Sequence, residues 1–215
     1  MKWRRLLLAC ATLLGAASFS AGAASDAADP AVTKIRVFYD ALLTVMQQAD
    51  KLGTRGRYDK LAPAVQTTFD LPAMTRIAVG PGWNSISPEQ QAALVENFSR
   101  MTIATYASRF DGYSGERFEV APASEARNAG RIVRSKLIPS TGESVTLDYL
   151  MRGSGDTWRI VDVYLTGTIS ELATRRSEFS AILHSGGPNA LIESLRQQTE
   201  KLLRSSNVRP NAGAR

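Results

Sequence analysis

Apolar positions recur at helical spacing through the first half of the chain and change to alternation beyond Gly112. Ile35, Phe38, Leu42, Val45, Met46 and Ala49 keep the three-and-four spacing of one buried helix face. This predicts a helix from Asp29-Pro30 to about Leu52, with Asp29 as N-cap and Pro30 in the first helical position, closed by Gly53. Arg55 to Phe69 predicts a second, less regular helix interrupted near Pro63. Asp70 then caps a short helix carrying Leu71, Met74, Ile77 and Ala78, which Gly80-Pro81-Gly82 stops before Trp83. Ser87-Pro88-Glu89-Gln90 is a capping box opening a long helix to about Phe110. Its Leu94, Val95, Phe98, Met101, Thr102, Thr105 and Tyr106 share a face wide enough to cover a sheet.

Strand signals follow. Phe118 to Val120 and Arg131 to Ile138 are candidates, with residues 122–130 and 139–142 as connections. Val145, Leu147, Tyr149 and Met151 alternate, as do Trp158, Ile160, Tyr164 and Thr166 with Asp162 interrupting, and Gly153-Ser154-Gly155-Asp156 separates the two runs. That is an antiparallel hairpin, the stretch around which the chain is organised. Reflection about the turn puts Tyr149 near Ile160 and Met151 near Trp158, the register depending on the turn type. Val161, Val163 and Leu165 then fall on the opposite face, so the second strand needs cover on both sides. Helices at Ser170 to Leu183 and Pro188 to Leu203 complete the pattern. The fold class is α+β: an antiparallel sheet of about four strands wrapped by N- and C-terminal helices in one domain, residues 24–205. Residues 206–215 are polar and are expected to be a disordered tail.

The N-terminus changes the picture. Lys2, Arg4 and Arg5 precede an apolar run from Leu6 to about Ala17 and the small-residue pattern Ala21-Gly22-Ala23. This reads as a cleaved secretory signal over residues 1–23, its apolar run too short for the ~20 residues a spanning helix needs. Only Leu6 to Ala9 lie between Arg5 and Cys10, and the apolar run continues beyond the cysteine, which does not suit a lipoprotein cleavage box. Cys10 is the one cysteine, so disulfides, thiolate metal sites and a cysteine nucleophile are excluded from the mature chain. The formal charge is +6, but three of the 26 basic side chains lie in the signal, which leaves 23 basic against 20 acidic groups. So mild an excess does not point to nucleic acid.

Catalytic equipment is sparse. His184 is the single histidine, cannot assemble a multi-histidine metal centre, and suits a helix C-terminal cation. No nucleophile elbow, P-loop, dinucleotide fingerprint or zincin motif is present. Asp148 and Asp162 come from paired strands and could act as an acid and base, or could each accept structural hydrogen bonds, with Arg152 and Arg159 as partners close in sequence. Arg175-Arg176, Arg196, Lys201, Arg204 and Arg209 could meet lipid headgroups or pair with Glu178, Glu193 and Glu200 on solvated faces. The remaining surplus is apolar and aromatic, and would serve either as core or as the lining of a pocket.

The segments Val145-Thr146-Leu147-Asp148-Tyr149, Trp158-Arg159-Ile160-Val161-Asp162-Val163-Tyr164-Leu165-Thr166-Gly167 and Arg176-Ser177-Glu178-Phe179 resemble the MlaC or toluene-tolerance family of periplasmic phospholipid-binding proteins. Phe69 to Met74, Trp83, Pro88-Glu89-Gln90 and Tyr106 match its helical half, so the likeness covers about Asp29 to Leu203. A related branch is associated with hopanoid metabolism. The resemblance implies a nuclear-transport-factor-like sheet wrapped by helices and a carrier, not an enzyme, shuttling phospholipid or hopanoid across the periplasm. Its implied partners are an outer-membrane lipoprotein complex and an inner-membrane ABC transporter complex. Monomeric state, transient contact with membrane surfaces and no cofactor beyond the lipid cargo go with that reading. Leu71, Met74, Ile77, Trp83, Phe98, Met101, Tyr106, Leu147, Tyr149, Met151, Trp158, Ile160, Tyr164 and Leu165 are the expected lipid-contacting residues. Glu171 and Arg175 depart from the family, whose members often carry apolar or aromatic residues early in the helix after the hairpin.

Overall fold

Asp29 starts the fold by holding two elements at once. In the computed structural model, which describes residues 28–128 and 130–205, its Oδ1 accepts hydrogen bonds from the Ala31 and Val32 amides at 3.0 and 3.4 Å. Its Oδ2 accepts from the Ser124 amide and hydroxyl at 2.8 and 2.6 Å. The expected signal and tail lie outside the described residues. Helix α1 spans Pro30–Gln47 and buries Ile35, Phe38, Leu42, Val45 and Met46, as its spacing predicts. It ends earlier than expected, because Gln48 leaves the helical region, and one further turn runs from Ala49 to the break at Gly53 (φ 60°, ψ 179°). Helix α2, Ala49–Thr68, continues through Pro63 instead of being interrupted there. Pro63 faces solvent, while Leu61 and Val65 on either side are 0% exposed and hold the turn in the core.

Helix α3, Leu71–Val79, is capped by Asp70 Oδ1 accepting from the Ala73 amide at 3.0 Å, and a 3-10 turn over Gly80–Ser85 carries Trp83. Ser87 caps α4, Pro88–Arg109, accepting from the Gln90 amide at 3.3 Å. The Gln90 side chain does not complete the box; it reaches across to donate to Asn189 Oδ1 at 2.9 Å.

Among the described residues the sheet has seven strands, not about four: β1 (Arg117–Val120), β2 (Glu125–Arg127), β3 (Gly130–Val133), β4 (Ser135–Ile138), β5 (Val145–Arg152), β6 (Arg159–Leu165) and β7 (Ile169–Ser170). All their pairings are antiparallel. The expected strand over 131–138 is in one register against β5, since Val133 pairs with Tyr149 and Lys136 with Thr146. It is divided at Arg134 because the Ser135 amide donates to the Asp148 carboxylate (3.3 Å). The added strands β2 and β7 are short pieces at the edges.

The hairpin register also differs from simple reflection. Leu147 pairs with Leu165, Tyr149 with Val163 and Leu150 with Asp162; the pairing then shifts, so Met151 meets Ile160 and Val161 is the extra residue of a β-bulge. Cross-strand partners share a face, so Leu147, Tyr149, Met151, Ile160, Val163 and Leu165 point to one side. Asp148, Leu150, Asp162 and Tyr164 point to the other. Val163 and Leu165 therefore sit on the face assigned to Tyr164, and Tyr164 on theirs. Asp70 at the α2–α3 junction donates its amide to the Ile160 carbonyl at 2.9 Å and covers the edge of β6 there. Helix α5, Glu171–Ser205, follows β7 and kinks at Gly187 (φ 69°, ψ −169°) before Pro188.

Candidate functional site

The inward face of β4, β5 and β6 is not filled by the helices that cover it. Between that face, α4 and the first turns of α5 lies a cavity of about 330 Å³. Its sheet wall is Leu137, Val145, Leu147, Tyr149, Val163 and Leu165; its helix wall is Met74, Phe98, Met101, Thr102, Thr105, Tyr106 and Leu172, with Phe69 and Phe110 at helix ends. The charged members are Arg109, Glu171 and Arg175.

The sequence explains the shape of these walls. On α4, Phe98, Met101, Thr102, Thr105, Tyr106 and Arg109 fall three or four residues apart, so they form one stripe. Thr102 and Thr105 are short at the centre of that stripe, and their hydroxyls donate to the carbonyls of Phe98 (2.9 Å) and Met101 (2.8 Å). Their methyl groups are left for the cavity. On the sheet, the bulge at Val161 brings Ile160 into the inward face without a break after Val163.

Aromatic hydroxyls form the polar floor. Tyr39 hydrogen bonds with the Ser135 hydroxyl at 2.5 Å and donates to the Tyr149 hydroxyl at 3.1 Å. Burial pushes the Tyr39 phenol up to about 12, against the partly offsetting hydrogen bonds of Ser135 and Tyr149. Burial likewise raises Tyr106 and Tyr149. All three stay neutral at physiological pH, so the floor offers hydroxyl dipoles and no charge. Tyr39 is stacked on Phe118 at a centroid distance of 3.9 Å, while Phe38 meets Phe69 and Tyr106 edge-on at 5.3 Å each. These contacts brace the wall from behind.

Of the expected lipid-contacting residues, Met74, Phe98, Met101, Tyr106, Leu147, Tyr149 and Leu165 line the cavity. Leu71, Met151 and Ile160 are buried in the core beside it, and Ile77, Trp83 and Trp158 pack partly buried against that core. Tyr164 stands on the opposite face, where the Arg127 guanidinium lies 5.8 Å from its ring centroid. Among lining residues the sequence pattern did not single out, Val163 was hidden by the unforeseen bulge. Phe69 and Phe110 lie at helix termini, where periodicity carries no signal.

The two strand carboxylates serve the framework. Asp148, 2% exposed, accepts from Arg134 Nη1 at 2.6 Å and from the Ser135 amide. Asp162 accepts from the Val163 and Leu172 amides at 2.8 and 3.1 Å and from the Ser170 hydroxyl at 2.6 Å. Arg152 and Arg159 are not their partners; Arg159 donates to the carbonyls of Gln66 and Thr67. Asp162 thus ties β6 to the start of α5, the helix that closes the cavity. On α5, Arg175 pairs with Glu178 at the cavity, while Arg196 pairs with Glu193 and Glu200 on a solvated face. Among the described residues no cluster of metal-ligating side chains occurs and no helix is long and apolar enough to cross a membrane.

The model of the MlaC protein family matches residues 36–197, from α1 into the second half of α5. The chain belongs to the MlaC family. Its fold is similar to that of a phospholipid-binding protein from Ralstonia solanacearum, solved in complex with a phospholipid. The two are 23% identical with a TM-score of 0.70, and the match covers 81% of this chain and 99% of that one. No curated protein matches the chain. The family match spans all the cavity walls described above.

Proposed function

We propose that this chain is a periplasmic carrier that encloses phospholipid acyl chains in the cavity and moves the lipid between the outer and inner membranes with an ABC transport system. The observation that carries the reading is the cavity itself: an apolar chamber between sheet and helices, in a chain of the MlaC family. The phospholipid complex of the similarly folded Ralstonia protein supports it. Export to the periplasm is supported by the family and by the signal-like residues 1–23.

The physical need is plain. Each methylene left in water costs ~0.8 kcal/mol, so two chains of about 16 carbons carried bare would cost on the order of 20 kcal/mol or more. A cavity of about 330 Å³ is at the lower end of ligand-pocket sizes. That is room for part of this hydrocarbon and not for all of it, with the headgroup left at the mouth.

Lipid mass spectrometry on protein purified from its native host tests this, with phospholipid as the expected extract. Delipidated protein should take phospholipid up from vesicles, and Thr105→Trp, which places an indole in the chamber, should cut uptake at least about tenfold while leaving the circular dichroism spectrum unchanged. Protein that yields no lipid and takes none up would end the proposal. Site-specific crosslinking in intact cells tests the partner half, the expected products being complexes with membrane components of an ABC system.

A further inference from the structure

The mouth of the cavity holds two opposite charges, Arg109 and Glu171, that form no ion pair among the described residues. Arg109 stands in the last turn of α4 and Glu171 opens α5, so they reach the cavity from different elements. Neither makes a side-chain hydrogen bond or ion pair among the described residues. Glu171 has Arg175 one turn ahead of it, in the orientation that favours an i,i+4 ion pair. That pair is not made: Arg175 Nη1 turns instead to Glu178 at 2.8 Å. Helix dipoles explain why a cation is tolerated at the end of α4 and an anion at the start of α5, but they supply no counter-ion.

We infer that Arg109 and Glu171 read a zwitterionic headgroup bearing a primary ammonium, Arg109 receiving the phosphodiester and Glu171 the ammonium. This rests on the phospholipid reading and adds the headgroup class to it. A guanidinium matches a phosphate through parallel N–H donors. A primary ammonium offers three N–H donors to a carboxylate, whereas a quaternary ammonium offers none. An anionic headgroup without an amine would leave Glu171 unpaired beside the phosphate, and an uncharged polycyclic lipid would leave both charges unmatched. With the tails directed inward, the glycerophosphate is left at the solvated end of the cavity, where Arg109 is exposed and Glu171 half-buried. Because the mouth is solvated, the discrimination is modest, about threefold to tenfold.

The experiment presents delipidated full-length protein with vesicles containing equal amounts of phosphatidylethanolamine, phosphatidylcholine and phosphatidylglycerol with identical tails. Bound lipid is quantified by mass spectrometry. The wild type is expected to enrich phosphatidylethanolamine about threefold to tenfold over phosphatidylglycerol. Glu171→Gln brings that ratio toward one and Glu171→Lys inverts it. Glu193→Gln, on a solvated face of α5 away from the mouth, leaves it unchanged. Bound lipid that mirrors the vesicle composition, or a ratio indifferent to both Glu171 variants, overturns the inference while leaving the carrier reading intact. Absence of uptake for every lipid overturns the carrier reading and the inference with it.

Discussion

Asp148 is a carboxylate buried to 2% exposure whose countercharge, Arg134, is itself 41% exposed and shared with Glu125. Removing the guanidinium strands the buried charge, whereas neutralising the carboxylate removes the need for it. Arg134→Met should therefore destabilise the protein by about 1–3 kcal/mol, and more than Asp148→Asn does, as read from urea midpoints. Asp29 offers a pH-dependent case. Burial works to raise its pKa, but hydrogen bonds from Ser124, Ala31 and Val32 bring it below 3.8. A carboxylate depressed on folding contributes stability that is complete above its unfolded value and disappears as pH falls through the folded one. The stability difference between wild type and Asp29→Ala, measured by denaturant titration, should be constant near neutrality and shrink progressively below pH 3.8. The N-cap role of Asp29 was legible from Asp-Pro alone. Its grip on Ser124, 95 residues away, was not, because nothing local encodes it.

At the level of elements, the hairpin shows where sequence reasoning succeeds and stops. Alternation located both strands, and Gly153 marks the turn: its φ is 135°, and a Cβ there would lie 2.7 Å from the Thr157 carbonyl oxygen. Gly153→Ala should cost on the order of 1–3 kcal/mol in denaturation experiments, since neither backbone nor space accepts the methyl. The pairing of those strands was not legible, because the residues of a bulge look like any other strand residues. Apolar Val161 and Val163 gave no sign that one belongs to the bulge and the other to the cavity wall. The break at Arg134 is comparable: the periodicity of 131–138 is unbroken in sequence, and only the Asp148 side chain, from the facing strand, takes the place of a ladder hydrogen bond. Helix ends were read to within a few residues wherever Asp, Ser or Gly marked them, as at Asp70, Ser87 and Gly187.

For the whole molecule, helices α1 to α4 and both halves of α5 share one apolar core with the sheet, and the cavity is the part of that core left open. A guest that binds only the folded protein stabilises it by mass action, about 2.7 kcal/mol at a hundredfold excess over Kd. Stripping lipid from the native protein should lower the thermal midpoint, and adding back phospholipid should restore it, both measurable by differential scanning calorimetry. The candidate site was legible as an excess of apolar side chains on α4 and the hairpin. Which of them meet the protein and which meet open space was not, since composition does not distinguish Met151, wholly buried in the core, from Met101 on the cavity wall.

The extra residue in β6 sets the facing of everything before it. If Val161 paired regularly with Met151 instead of bulging, the segment before it would turn by half a pleat relative to β5. Ile160 would then exchange sides with Arg159, aiming a guanidinium at the hydrocarbon and stranding an isoleucine in water. The bulge thus keeps the inward side of β6 apolar along its whole length.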